Sequence, residues 1–265
     1  MIKADLRIMR SMLKKIKAIG VDEALMTIGE QKLHGIYVDP AHVAMLDMTM
    51  KLKDCKYKPM DFGIDLATLT SRINLLPAGN IKKRDAPENQ LKIEMLRKKG
   101  ELIGFKFSHP MLVFQKSLKN KAGFHESKFP TGMLKNVDAT ANINTRQFGI
   151  FLKIADAETD HIAFIAEQKT NSLLARFTND EEETVSTDLT YSLGGIEGID
   201  LQFLNKEAKK IKALFSVDYM ISVINLIDAP IIKIGLKCDS PLVVWWSEKD
   251  LLEGVYALAP RIQSE

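Results

Sequence analysis

The sequence predicts an α+β protein of two similar domains, each built from antiparallel sheet with helices on one side. Three observations carry this expectation. A strand–helix–strand order at the N-terminus restarts near residue 137. One short word recurs: Ser71-Arg-Ile-Asn-Leu-Leu-Pro-Ala78 and Ser222-Val-Ile-Asn-Leu-Ile-Asp-Ala229 share five of eight residues at an offset of 151. Repetition of a word together with an element order is the mark of internal duplication. Between the two halves, residues 119–136 hold two glycines, a proline and four lysines without a clean period. That composition suits a long connecting loop. The expected organisation is therefore domain one at 1–118, a connecting loop at 119–136 and domain two at 137–265.

Taken in order, Ile2–Leu6 reads as a strand and Leu6–Ile19 as a helix, with Met9, Met12, Leu13, Ile16 and Ile19 on one face. Gly20 suits its C-terminal cap. Strands are expected at Glu23–Ile28, Leu33–Val38 and Val43–Met50, the last two separated by the Asp39-Pro40 turn. A second helix is expected at Phe62–Leu76, stopped by Pro77-Ala-Gly79. Strands follow at Leu91–Leu96, Leu102–Phe107 and Met111–Leu118. In the second half Val137–Ile143 suits a strand and Thr145–Ala155 a helix. Strands are expected at Ile162–Glu167, Leu173–Thr178, Leu189–Leu193 and Ile199–Phe203, and a helix at Ser216–Ile227. Ile231–Leu236, Leu242–Trp246 and Val255–Leu258 close the chain, with Pro260 unable to continue a ladder.

The 265 residues are 46% hydrophobic and 27% charged, enough apolar material for two ordinary cores. No apolar run of about 18 residues spans a membrane, and Met1-Ile-Lys-Ala-Asp-Leu-Arg lacks the apolar core of a signal peptide. Cys55 and Cys238 stand alone, which suits reduced thiols and an intracellular place. Neither a cofactor nor a metal is expected. Asp156, Glu158, Asp160 and His161 have ligand chemistry but read better as an exposed turn. Gly194-Gly-Ile-Glu-Gly198 precedes a strand rather than a helix, so it is no dinucleotide loop. No nucleophile elbow, P-loop or paired Cys/His occurs, and no catalytic residue is assigned.

Net charge is +3, but its placement is uneven. Residues 1–20 carry Lys3, Arg7, Arg10, Lys14, Lys15 and Lys17 against Asp5 alone. Arg7, Arg10, Lys14 and Lys17 fall at helical spacing, forming a basic stripe beside the apolar face. Such segregation suits a surface facing nucleic acid, and a solvated helix face is the competing account.

Several stretches resemble the DNA sliding clamps of the proliferating-cell-nuclear-antigen family, of archaeal and eukaryotic type. Met12-Leu-Lys-Lys-Ile16 is similar to the family's Ile-Leu-Lys-Lys-Val in its first helix. Pro241-Leu-Val-Val244 and Leu258-Ala-Pro-Arg-Ile262 resemble its closing strand and tail, and Tyr37-Val-Asp-Pro-Ala-His-Val-Ala-Met-Leu46 its Met-Asp-Ser-Ser-His-Val-Ser-Leu-Val stretch. The likeness is strongest at 9–24, 35–50 and 239–262, and thin across 80–140 and 178–205.

The resemblance implies the DNA-clamp fold, closed into a ring, most often a homotrimer, whose helices present cations to duplex DNA without reading sequence. It carries that role to Lys14 and Lys15, to Arg72 where the family has a lysine, and to Lys153 where it has an arginine. Arg10 and Lys17 join on electrostatic grounds, with Arg146 a weaker candidate. Asp228 departs, standing where a basic residue is common. Lysines on helices suit a sliding contact, because phosphates offer charge without sequence information. The resemblance also implies a groove for short partner peptides, with Val38, His42 and Met45 on one wall and Pro241, Leu258, Ala259 and Pro260 on the other. The connecting loop roofs that groove in the family, which makes Phe124, Phe129, Met133 and Leu134 contacts to expect here. Ala257 departs from the usual tyrosine. The tandem Trp245-Trp246 reads as core plus surface packing.

On the same resemblance, subunits would pair through edge strands Met111–Lys119 and Ser172–Asp180. The implied function is that of a polymerase processivity factor, not an enzyme. Its implied partners are DNA polymerase, clamp loader, flap endonuclease and ligase. The implied place is the cytoplasm or nucleoid of an archaeal or viral host, or a eukaryotic nucleus. Two rivals stand beside it: a heteromeric or checkpoint-type clamp subunit acting as an interaction scaffold, and a duplicated DNA-binding protein gripping one specific site.

Overall fold

The structure, a computed structural model, describes residues 1–79, 86–124, 127–178, 184–188 and 201–261. The chain divides into two compact units. Unit 1 comprises Met1–Pro40, Asp47–Lys128 and Asp250–Glu253; unit 2 comprises Ala41–Leu46, Phe129–Lys249 and Gly254–Glu265.

Unit 1 runs β1 (Ile2–Asp5), α1 (Leu6–Ala18), β2 (Glu23–Gly29), β3 (Lys32–Val38), β4 (Ala44–Lys51), β5 (Met60–Asp65), α2 (Leu66–Leu75), β6 (Gln90–Lys98), β7 (Glu101–His109) and β8 (Leu112–Ser117). One antiparallel sheet has the order β1-β6-β7-β8, and the other strands follow the order β4-β3-β2-β5. Strand alternation puts Ile2, Ala4, Leu91 and Ile93 inside and Lys3, Asp5, Lys92 and Glu94 outside. Met9, Met12, Leu13 and Ile16 of α1 and Leu69 and Ile73 of α2 are buried. An edge-on ring contact between Phe62 and Phe105, 4.7 Å between centroids, ties β5 to β7.

Unit 2 repeats this plan. After the short α3 (Thr131–Lys135) come β9 (Ala139–Asn144), α4 (Thr145–Glu158), β10 (His161–Glu167), β11 (Ser172–Thr178), β12 (Thr184–Asp188) and β13 (Gln202–Phe203). Then follow β14 (Lys210–Ser216), α5 (Val217–Ile224), β15 (Ile231–Leu236), β16 (Leu242–Glu248) and β17 (Leu252–Leu258). One sheet is ordered β12-β11-β10-β14, and the other strands follow β13-β9-β15-β16-β17. With α3 and the short strand β13 set aside, the order of elements matches unit 1 step for step. Phe148, Phe164 and Phe215 form a chain of edge-on rings linking α4, β10 and β14.

Three expectations are corrected. The helix expected from Phe62 begins at Leu66, because Phe62 and Ile64 alternate as strand residues paired to Met26 and Ala24. Asp65 then caps α2, its carboxylate accepting from the Thr68 N–H at 3.0 Å and the Thr68 hydroxyl at 2.6 Å. The expected edge Ser172–Asp180 is interior, since β11 pairs with β10 on one side and with β12 on the other. An acidic run, Asp180-Glu-Glu-Glu183, obscures the β-branched residues Thr184, Val185 and Thr187 that make β12. A third strand outside the expected set, β14, shows plain alternation in Lys210-Ile-Lys-Ala-Leu-Phe215 and pairs with β10 along seven residues. The strand expected at Leu189–Leu193 and the turn at 194–198 lie outside the described residues. Among the described residues no helix is long and apolar enough to cross a membrane.

Asp65 also receives the Lys116 ammonium at 2.7 Å, which joins the start of α2 to β8. That bond, followed by the Thr68 hydrogen bonds, holds the Asp65 carboxyl well below the usual carboxylate range. A depressed folded value stabilises above the unfolded value of about 4 and is lost as pH falls through the folded one. Asp65→Ala is therefore expected to cost about 1–2 kcal/mol at pH 7. Urea midpoints of the two proteins should converge at strongly acidic pH; an equal gap at pH 7 and at pH 2 would contradict the linkage.

Candidate functional site

The most concentrated positive charge on a helix lies on α1. Asp5 caps it, accepting from the Arg7 and Ile8 N–H groups at 2.9 and 3.3 Å. The helix buries one face and exposes Lys14 and Lys17, while Arg7 and Arg10 of the same stripe are half-buried. No acid lies in its first turn, and Lys15 and Lys17 lie in its last.

Lys15 does not belong to this surface. It is 0% exposed and donates to the Ser11 hydroxyl at 2.6 Å. Helical spacing places it in line with Ile8, Met12 and Ile19, all buried, so it sits on the core face. The DNA-facing role expected of Lys15 is thereby withdrawn. Arg10 is committed elsewhere too: its guanidinium donates to the Ile73 carbonyl at 3.1 and 3.0 Å. It thus ties α1 to the C-terminal end of α2 at a carbonyl that also accepts from the Leu76 N–H, and burial lowers its pKa. Arg72 donates to the Gln115 carbonyl at 2.8 Å and lies over the Phe114 ring at 5.5 Å, bracing β8. Lys14 and Lys17 remain the cations of unit 1 helices best placed to meet a ligand.

In unit 2 the helices carry a different balance. Asn144 caps α4, which exposes Arg146 and Lys153 but also Ile150, Ile154, Asp156 and Glu158. Helix α5 exposes Asp218 and holds no cation, and beyond it Asp228 pairs with Lys249 at 2.9 Å. The two helices approach closely at Gly149, where a Cβ would stand 2.8 Å from the Asn225 side-chain oxygen.

The tail of unit 2 is anchored. Ala259 N–H donates to the Val43 carbonyl at 2.8 Å, and Arg261 N–H to the Leu214 carbonyl at 2.7 Å. The Arg261 guanidinium also meets Asp160 at 2.7 Å, and Asp160 meets His161 at 2.6 Å. These two bonds, His161 first, hold the Asp160 carboxyl below its ordinary value. The expected residues divide by exposure. His42, at φ 58°, is exposed where the chain turns before β4. Met45, Pro241, Ala259 and Pro260 are half-buried, so each offers some surface. Leu258 is 0% exposed and belongs to the core beneath the tail, not to a contact surface. Trp246 is buried against Gly254, and the Lys233 ammonium lies over the Trp245 ring at 5.9 Å.

Val38 lies in unit 1, where it lines an open groove of about 530 Å³ over the outer face of β2, β3 and β5. Part of the connecting loop covers that groove. Lys119 N–H donates to the Gly63 carbonyl at 2.9 Å, and its ammonium meets Glu23 at 2.8 Å. Phe124 lies directly on Gly63, where a Cβ would come within 2.4 Å of the ring. Only glycine lets the loop approach so closely. Phe129, expected as a peptide contact, is buried instead. The groove's polar lining includes Glu23, Asp61 and His34, with Asp61 accepting from Thr27 at 2.6 Å and His34 bonded to Asp47 at 2.9 Å. No motif marks these acids; the signal available was polar residues at alternate strand positions, which cross-strand register then brings together. Among the described residues no group of three or more His, Cys, Asp or Glu could hold a metal.

No protein-family profile matches the chain. It is 25% identical to the DNA polymerase sliding clamp of Methanothrix thermoacetophila over 279 aligned positions, covering 100% of both chains. Among solved structures it is similar to A. fulgidus PCNA bound to the C-terminal region of FEN-1, with a TM-score of 0.79, 18% identity and full coverage of both chains. PCNA from Thermococcus kodakaraensis matches with a TM-score of 0.77 and 19% identity over 98% of this chain and 100% of that one. The PCNA2–PCNA3 complex of Sulfolobus tokodaii gives 0.76 and 16% over 98% and 99%. These structures share the fold of the present chain along its whole length.

Proposed function

We propose that this chain is a DNA sliding clamp of the proliferating-cell-nuclear-antigen type: a ring around duplex DNA that tethers a polymerase and other DNA enzymes. The observation that carries this reading is likeness to a sliding clamp over the full length of both chains, in sequence and in fold alike. The duplicated units supply the two halves of a ring segment. Lys14 and Lys17 supply mobile cations that attract phosphates without reading bases, with Lys153 a weaker contribution from unit 2. A ring retains DNA by topology, so the contact can be weak and still useful. The clamp itself catalyses no reaction and works wherever the host keeps its DNA.

Copies of the chain would join through strand edges. In unit 1 that edge is β8, and in unit 2 it is β12 among the described residues. Pairing the two satisfies backbone groups that an open edge leaves exposed. Partner enzymes would dock by short peptides at His42, Met45, Pro241, Ala259 and Pro260, with Val38 and the loop-covered groove of unit 1 taking further contacts. The A. fulgidus relative, seen with a C-terminal region of FEN-1, motivates a flap endonuclease as one such partner.

The experiment is polymerase processivity on primed circular DNA with a clamp loader, paired with light scattering. Longer products on circular DNA are expected, lost when the circle is linearised, together with a mass of about three times the 29.8 kDa chain. A single-chain mass at micromolar concentration would point instead to a heteromeric clamp subunit, of which the S. tokodaii pair is a precedent in fold.

A further inference from the structure

The sheet β12-β11-β10-β14 packs one face against α4, where Ile211, Ala213 and Phe215 of β14 are buried. Alternation puts Lys210 and Lys212 of β14 on the opposite face, both exposed. The Gln168 N–H donates to the Lys209 carbonyl at 2.9 Å, which sets the turn carrying Lys169 beside the start of β14. The Cys238 thiol lies 3.9 Å from the Lys210 carbonyl oxygen, which brings Lys237 to the same corner. Lys206 stands in the loop that leads into β14, and like Lys169 and Lys209 it is exposed.

Carboxylates share these segments but do not answer the cations. Glu167 stands opposite Lys210 in the register, and its carboxylate accepts from the Thr170 hydroxyl at 3.2 Å. Asp138 accepts from the Asn205 side-chain amide at 3.1 Å, and Glu207 and Asp239 are exposed. The ion pairs among the described residues of unit 2 lie elsewhere, at Asp160 with His161 and Arg261 and at Asp228 with Lys249. Lys237 donates to the Asn136 side-chain carbonyl at 3.1 Å, a bond that leaves its charge in place. Ammoniums gathered in this way repel one another, and a polyanion relieves that repulsion.

Lys210 and Lys212 leave the same face about 6.6 Å apart, two residues at about 3.3 Å each. One strand of a duplex carries a phosphate about every 3.4 Å along its axis, so the two lysines match alternate phosphates. Lysine meets phosphate as a mobile point charge that reads no base. A peptide partner, by contrast, is anchored in an apolar pocket. Here Ile165, Leu174 and Leu214 are half-buried on the open face of the sheet, and Leu204 protrudes from its loop at 57% exposed.

We propose that this corner of unit 2 is a second nucleic-acid site, at which Lys206, Lys209, Lys210 and Lys212 hold the phosphodiester backbone of DNA. The site goes beyond the clamp reading and does not depend on ring closure.

The test uses the full chain carrying Lys14→Glu and Lys17→Glu, so that the α1 stripe no longer contributes. Fluorescence anisotropy follows a labelled 20-nucleotide thymidine strand and a duplex of the same length across a salt series. Residual binding is expected, and adding Lys209→Gln and Lys212→Gln should weaken it by about tenfold at low salt. The slope of log affinity against log salt should become shallower by about 1.4 for the strand or about 1.8 for the duplex, two phosphates in either case. Lys209→Arg with Lys212→Arg should keep both affinity and slope. The same loss of charge placed in unit 1, Lys56→Gln with Lys58→Gln, should leave the slope unchanged. Loss on one oligonucleotide alone names that form of DNA as the occupant; loss on both names any phosphodiester backbone. No residual binding, binding indifferent to the Gln pair at 209 and 212, or an equal loss from the unit 1 pair overturns the proposal. So does a polyglutamate peptide that binds through Lys209 and Lys212 while neither oligonucleotide does. Neither oligonucleotide requires a loader, so failure here is separable from failure in the processivity assay. Unchanged circular dichroism confirms that the exposed substitutions leave the fold intact.

Discussion

Replacing Lys14 and Lys17 together by Glu is expected to abolish most clamp-dependent processivity while leaving the mass of the assembly unchanged. Both side chains are exposed on α1, make no contribution to the core, and share a stripe from which Arg10 is withdrawn by its bond to α2. Loss of two phosphate contacts should flatten the salt dependence of duplex binding by about 1.8 in log–log slope. Reversal of charge adds repulsion to that loss. Lys15→Met is the matched control. Its ammonium is enclosed beside Ser11, so this change removes a buried cation and leaves the exposed stripe untouched. That variant should bind duplex with an unchanged slope. Equal loss in the two proteins would mean that the exposed stripe is not the DNA contact.

The contrast between those lysines shows what the sequence could and could not convey. Resemblance treats Lys14 and Lys15 alike, because both belong to the same five-residue match. Helical geometry separates them by about 100°, and the spacing Ile8–Met12–Lys15–Ile19 already lay in the sequence. The apolar face of α1, the Gly20 stop and the repeat of element order were legible for the same reason: each depends on local periodicity. Helix α2 was placed four residues early because Phe62 and Ile64 fit either period over so short a run. Strand β12 was hidden by the glutamates before it, and with it the outer edge of its sheet. Leu258 was assigned to a contact surface by motif, yet strand alternation and burial put it inside. The groove acids were out of reach altogether, since Asp61 meets Thr27 only through the pairing of β5 with β2. Contacts between distant strands depend on register, and register is set by the whole sheet.

The second large effect is expected at the edge of unit 1. Met111, Leu112 and Val113 are consecutive, apolar and exposed, at 72%, 41% and 56%. Met111 stands in the turn before β8, and strand alternation would hide one of Leu112 and Val113 in a strand covered on one face. Exposure of all three, on an edge whose outer backbone groups face no other strand among the described residues, leaves apolar surface that a second copy can cover. The edge is also held in place: Arg72 reaches the Gln115 carbonyl, and Lys116 reaches Asp65 at the start of α2. Burying Met111 and Val113 contributes about 1.5–3 kcal/mol per side chain, and an unpaired carboxylate in their place reverses the sign. A closed trimer contains this junction three times, so even about 3 kcal/mol per junction shifts assembly by about 9 kcal/mol, beyond a millionfold. Met111→Asp with Val113→Asp should therefore run as a single chain at micromolar concentration. Because both side chains are exposed in the isolated chain, its circular dichroism should be unchanged and its thermal midpoint no lower than that of the dissociated parent. Processivity should vanish while binding to short duplex through Lys14 and Lys17 persists, which separates loss of the ring from loss of the DNA contact. A variant that keeps the mass of three chains would place the subunit junction away from β8.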